Sequence, residues 1–135
     1  MSEGRDVNKV SKVVIMADGG KVLILKRAPE SVSDASPWEW DLPGGHVQED
    51  ESFIEAAVRE VEEEVQLSLN KLKQFYMDSN IGKETCFYSC KSWSGKPTLS
   101  SEHTDYVWVD PAQIADYNIG SMYGKAVKMA GGVRR

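Results

Sequence analysis

Glu60, Glu63 and Glu64 stand three and four residues apart in one short acidic run. On a helix, side chains at those spacings are neighbours, so the three project from one side. Like charges so placed are mildly destabilising, and acids near a helix C-terminus meet the unfavourable end of its dipole. Two local rules are broken at one place, which is expected where a function demands it. A hard divalent cation takes oxygen ligands, and Mg²⁺ commonly binds through a few carboxylates together with substrate phosphates. Such an ion would convert a repulsive cluster into a place for phosphate. A solvated acidic helix that serves as an interaction face, with no metal, is the plain alternative, and spacing by itself does not choose.

The surrounding residues bear on that choice. Gly44 to Leu67 carries eight carboxylates and a single arginine, Arg59. Arg59 adjoins Glu60 and lies i,i+4 from both Glu55 and Glu63, so it can neutralise and orient carboxylates. Gly44 and Gly45 allow backbone to approach a ligand closely. Ser52 and Glu55 form a capping box that starts a helix. Ile54, Val58, Val61 and Val65 then make one apolar stripe, predicted to face the core while the glutamates point away. Valine is a modest helix former, so packing must hold this helix more than propensity does.

With these residues in place, the segment resembles the Nudix box, GX5EX7REUXEEXGU with U aliphatic. Gly45, Glu51 and the run Arg59 to Leu67 match every defined position except one, where Gln66 replaces the box glycine. The resemblance, closest to MutT-like members, implies an α+β fold, an α/β/α sandwich around a mixed sheet. It also implies hydrolysis of a nucleoside diphosphate linked to another moiety, with Mg²⁺ or Mn²⁺ as cofactor. Glu60 and Glu64 correspond to the principal metal-binding carboxylates, Glu63 to a further ligand, and the Gly44 carbonyl to a backbone ligand. Arg59 and Glu51 correspond to the pair that orients the cluster. Metal ions would neutralise phosphate oxygens and lower the pKa of the attacking water, and a carboxylate would then take its proton. Outside the box, Glu102 and Asp105 are the candidates for that base. Trp38, beside Pro37, and Gly45 are the candidate substrate contacts. No proline lies between Leu67 and Thr85, and Tyr76 is too near the box to mark a dinucleoside-polyphosphate hydrolase. The short chain thus resembles members that act on nucleoside triphosphates. A Nudix-fold nucleotide-binding or regulatory module that has lost catalysis is the alternative, and the complete glutamate set argues against it.

The elements that must position these groups are legible in outline. Val10 to Ala17 and Val22 to Lys26 flank Asp18-Gly19-Gly20-Lys21 and read as a hairpin. Residues 71–80 and 83–93 read as strands joined by a turn at Asn80-Ile81-Gly82, and "HTDYVWVD" as a last strand. Pro111 opens a short helix, and Ser121 to Met129 is a second. Trp40, Phe87, Trp108 and Tyr123 read as packing residues, His46 and His103 as surface or loop histidines. Cys86 and Cys90 have no metal-site spacing and read as free thiols.

At 135 residues the chain suits one domain over 1–135. A net charge of -5 with no basic run argues against a duplex-DNA partner, leaving a nucleotide-type small molecule. No apolar run approaches a membrane span, and "MSEGRDVNKV" has no signal-peptide core, so the expected location is cytoplasmic. Monomer and homodimer are both compatible with the sequence.

Overall fold

The structure, a computed structural model, describes residues 7–133. The first six residues, on which much of the leader reading rests, and Arg134-Arg135 lie outside the described residues. Strand β1 (Asn8–Ile15) is buried from Val10 onward. Val13 and Ile15 enter one core cluster, while Val14 and the following Met16 enter another. Strand β2 (Val22–Arg27) divides likewise, with Leu23 and Leu25 on one side and Val22 and Ile24 on the other. Strands covered on both faces read as continuous apolar runs.

That double burial corrects the hairpin expectation. The turn forms, with Ala17 N–H donating to Lys21 O at 2.8 Å and a bridge from Met16 to Val22. Beyond it the two strands part into different sheets. β1 lies between β4 (Gly44–His46) and β6 (Lys83–Ser94), and β5 (Ser68–Asn80) forms the far edge. The β1–β6 pair is parallel, and the β1–β4 and β5–β6 pairs are antiparallel. β2 lies between β3 (Trp40–Asp41) and β7 (His103–Val109), antiparallel to both. The β5–β6 turn falls where it was expected, with Asn80 opposite Lys83.

Helix α1 (Phe53–Val65) covers one face through Ala57, Val61 and Val65, and α2 (Ser121–Ala130) covers the other through Ala126 and Val127. The result is the expected α/β/α arrangement with a mixed sheet. Pro111 opens a 3-10 turn, Pro111–Asp116. The apolar stripe of α1 is shifted from its predicted place. Ile54 is 42% exposed, and the buried face is Ala56, Ala57, Val61, Glu64 and Val65. Small alanines let the helix sit close to the strands, and Ile54 falls beyond that contact.

Gln66 ends α1 in the left-handed conformation, at φ 59° and ψ 36°, and its N–H donates to Glu62 O at 3.0 Å. The register of the box is therefore kept with a side chain where glycine costs least. Gln66→Gly is expected to stabilise the fold by about 1 kcal/mol. A thermal melt should rise by about 3–5 °C, and a fall would mean that no strain is held there.

Candidate active site

The capping box fixes the start of α1. Ser52 N–H donates to Glu55 Oε1 at 2.9 Å, and Glu55 N–H donates to Ser52 Oγ at 3.1 Å. Glu55 is therefore committed to the helix end and does not serve Arg59, against the sequence expectation. Arg59 instead grips Glu51 with both edges of its fork, Nε to Oε2 at 2.6 Å and Nη2 to Oε1 at 3.0 Å. It also donates to Glu60 Oε2 at 3.2 Å, Glu63 Oε1 at 3.1 Å and the His46 carbonyl at 3.0 Å. One planar cation thus ties the loop before α1, strand β4 and two glutamates into a single frame. The Arg59 hydrogen bond, with help from Gln48 N–H, holds the Glu51 carboxyl below its usual range.

The three glutamates do not share one environment. The Glu63 side chain is 60% exposed and turns toward Arg59 and solvent. Glu60 is half-buried, its carboxylate lying against Gly45. Glu64 is 6% exposed, so it does not point away from the core as predicted. It lies three residues past Val61 and one before Val65, on the shoulder of the buried face, and β4 docks across that shoulder. Gly44 N–H donates to its Oε1 at 2.8 Å. Burial pushes the Glu64 carboxyl up to about 8, although Lys12 and the Gly44 N–H pull in the other direction.

Lys12 rises from β1 beneath Glu64. Its ammonium donates to Asp41 Oδ1 at 3.1 Å, the Leu42 carbonyl at 3.0 Å and the Gly44 carbonyl at 3.5 Å. Burial disfavours its charge, but Asp41, Tyr123 and Glu64 outweigh that and hold its pKa above the ordinary value. The Gly44 carbonyl, an expected metal ligand, therefore faces an ammonium and uses its second lone pair for any other partner.

These groups line a hollow of ≈ 420 Å³. It brings together Glu60, Glu64, Glu102, Gly44 and Gly45 from the expected set with Lys12, Asp41, His103, Arg27 and Lys83. Glu63 and Asp105 do not line it. His103 is a correction: it is 7% exposed, not a surface residue, and burial pushes its imidazole pKa down. It is the first residue of β7 and pairs with Arg27, next to a bulge where Thr104 is skipped in the register, and bulges re-aim side chains. Glu64, Glu102 and His103 each offer a ligand atom, and these atoms lie within 4.8 Å of one another. Oxygen and nitrogen donors gathered at that spacing suit a divalent ion, and the facing cations suit phosphate oxygens.

A neighbouring hollow of ≈ 390 Å³ shares Arg27, Asp41, Lys83 and Tyr123 with the first and carries Trp38 and Trp40. Trp38 is 42% exposed and its loop is pinned by Arg27, which donates to Trp38 O at 2.8 Å and Ser36 O at 3.1 Å. Trp40 packs edge-on against Tyr117, as its reading as a packing residue requires. Cys86 and Cys90 are buried and free. Sequence reasoning missed Lys12, Arg27, Asp41, Lys83 and His103 as site residues. Lys12 alone left a signal, a lysine inside the run Val10 to Ala17, where Ser11 is the one other polar residue.

The NUDIX domain family model matches residues 8–128. A MutT-like protein of Streptomyces ambofaciens is 28% identical over 105 residues, which are 76% of this chain and 64% of that protein's length. Nucleoside triphosphatase NudI of Escherichia coli is 25% identical over 132 residues, covering 87% of this chain and 92% of NudI. The crystal structure of a MutT protein from Methanosarcina mazei Go1 superposes with a TM-score of 0.70 at 25% identity, covering 95% of each chain.

Proposed function

The chain belongs to the Nudix family as a pyrophosphohydrolase, and from that premise we propose that it cleaves a nucleoside triphosphate or a related nucleoside diphosphate derivative with Mg²⁺ or Mn²⁺. We take residues 1–135 as a single Nudix domain. The observation that carries the reading is the hollow in which Glu60, Glu64 and Glu102 face Lys12, Arg27 and Lys83. Glu60, Glu64 and the Gly44 carbonyl would hold the ion in this reading. When bound, the ion neutralises phosphate charge and acidifies water. Glu102, exposed at the edge of the hollow, would orient the attacking water and accept its proton. Gly45 leaves room for substrate beside Glu60, and Trp38 offers an exposed ring for a base to stack on. Glu63 stands outside the hollow and acts through Arg59. NudI is named a nucleoside triphosphatase, which favours that substrate class. Among the described residues, no helix is long and apolar enough to cross a membrane.

The test is a panel of nucleoside triphosphates, dinucleotides and nucleotide sugars with Mg²⁺ and Mn²⁺, read by product identification. Turnover of a triphosphate that vanishes in excess chelator is the expected result. Full activity in chelator overturns the reading.

Arg59 is a positioning residue in this scheme, because its donors are spent on Glu51, Glu60, Glu63 and the His46 carbonyl. Arg59→Lys should lower kcat about ten- to a hundredfold and leave KM within about threefold, since an ammonium cannot hold two carboxylates in one plane. A change confined to KM would assign Arg59 to substrate phosphate instead.

A further inference from the structure

A histidine buried beside two carboxylates ordinarily donates a hydrogen bond to one of them. His103 does not. It is 7% exposed, and among the described residues its Nδ1 has no hydrogen-bond partner. A buried polar atom without a partner costs about 1–3 kcal/mol, so a water or an ion is expected to bond there. One of its ring nitrogens nevertheless lies within 4.8 Å of ligand oxygens of both Glu64 and Glu102. That is too far for a direct hydrogen bond at the limit of the range and near the span of one ion. Two ligand atoms about 2.0–2.2 Å from a shared ion stand up to about 4.3 Å apart. Neighbouring ligands of one ion stand closer, about 3.0–3.5 Å apart, so side-chain adjustments of up to roughly 1–2 Å close the set.

We propose that His103 is a direct nitrogen ligand of the divalent ion that Glu64 would hold, with Glu102 beside the two. The inference rests on the reading of the hollow as a divalent-ion site and adds a donor of a different kind. Carboxylate, carbonyl and water ligands suit Mg²⁺, whereas an imidazole draws a site toward Co²⁺, Ni²⁺ and Zn²⁺. The site therefore discriminates against Mg²⁺ more than an all-oxygen set does.

The experiment uses the full chain, with Co²⁺ and Mg²⁺ alone as probes. Calorimetry gives their affinities, and proton NMR of the Co²⁺-loaded protein reports imidazole ligation through a strongly shifted, solvent-exchangeable N–H. His46 and His103 are the two histidines of the chain, so assignment needs two variants. The signal is expected in the wild type and in His46→Gln, and is expected to vanish in His103→Gln. That variant should bind Co²⁺ at least tenfold more weakly and Mg²⁺ within threefold of wild type, because the glutamine carbonyl keeps an oxygen donor in place. If His103→Gln fails to fold, the wild-type and His46→Gln spectra decide alone. Absence of the shifted N–H in a wild type that binds both ions overturns this inference and leaves the hydrolase reading standing. Failure of the wild type to bind either ion overturns both.

Discussion

Glu64→Gln is expected to lower turnover by roughly a thousandfold or more, about 4 kcal/mol of transition-state stabilisation, while the fold survives. The glutamine oxygen can still accept from Gly44 N–H, the bond that holds β4 against α1. Only the negative charge is lost, and with it the group that would hold an ion at the floor of the hollow. The metal-free protein offers a second measurement on the same residue. Burial raises the Glu64 carboxyl from its ordinary 4.5 to about 8 in the folded chain. Between those values the folded state binds a proton that the unfolded state releases. Its contribution to stability is therefore complete below about pH 4.5 and is lost as pH rises through about 8, by several kcal/mol at most. Melts in chelator should fall across that window for the wild type and stay flatter for Glu64→Gln. A variant that keeps wild-type turnover, or the same pH slope, would remove Glu64 from the place assigned to it.

The box was legible because its information is local. Spacing in the chain sets spacing on a helix, so Ser52 with Glu55, the left-handed Gln66 and the reach of Arg59 toward Glu60 and Glu63 all follow from residues within one or two turns. The depth of Glu64 was not local. It depends on β4 docking over the helix shoulder, which the sequence does not announce. The same limit hid the parting of β1 and β2, whose partners β6 and β7 lie about 75–87 positions further along the chain. It also hid the meeting of Lys12, Asp41 and His103, which three different strands or their ends contribute. Arg59 and Glu51 were paired through the family pattern, while the loss of Glu55 to the capping box could have been foreseen, since one carboxylate cannot serve both ends.

The adjacent glycines should fail in opposite ways when given a methyl group. A Cβ on Gly45 would stand within 2.5 Å of Glu60 Oε1, with the rest of the carboxylate as its other near neighbours. That carboxylate is the end of a flexible side chain, so the fold can yield by moving it. Gly45→Ala should melt within a few degrees of the wild type. Yet Glu60 would have to leave its position between Arg59 and the hollow, and a displacement of about 1 Å at a catalytic group can cost about a hundredfold in rate. Gly44 is different. Its φ of +132° is a conformation L side chains rarely adopt, and a Cβ there would run into the β1 backbone, 2.8 Å from Lys12 Cα and closer still to the Ser11 carbonyl. Nothing flexible stands in the way to yield, so β4 must separate from β1. Gly44→Ala should therefore lose about 3 kcal/mol or more of stability, with activity falling only as folded protein is lost and the Gly44 N–H leaves Glu64. Paired melts and kinetics separate the two. If Gly45→Ala proved as active as the wild type, Glu60 would be free to move without consequence, and the ion would have to be held by Glu64 and its neighbours without it.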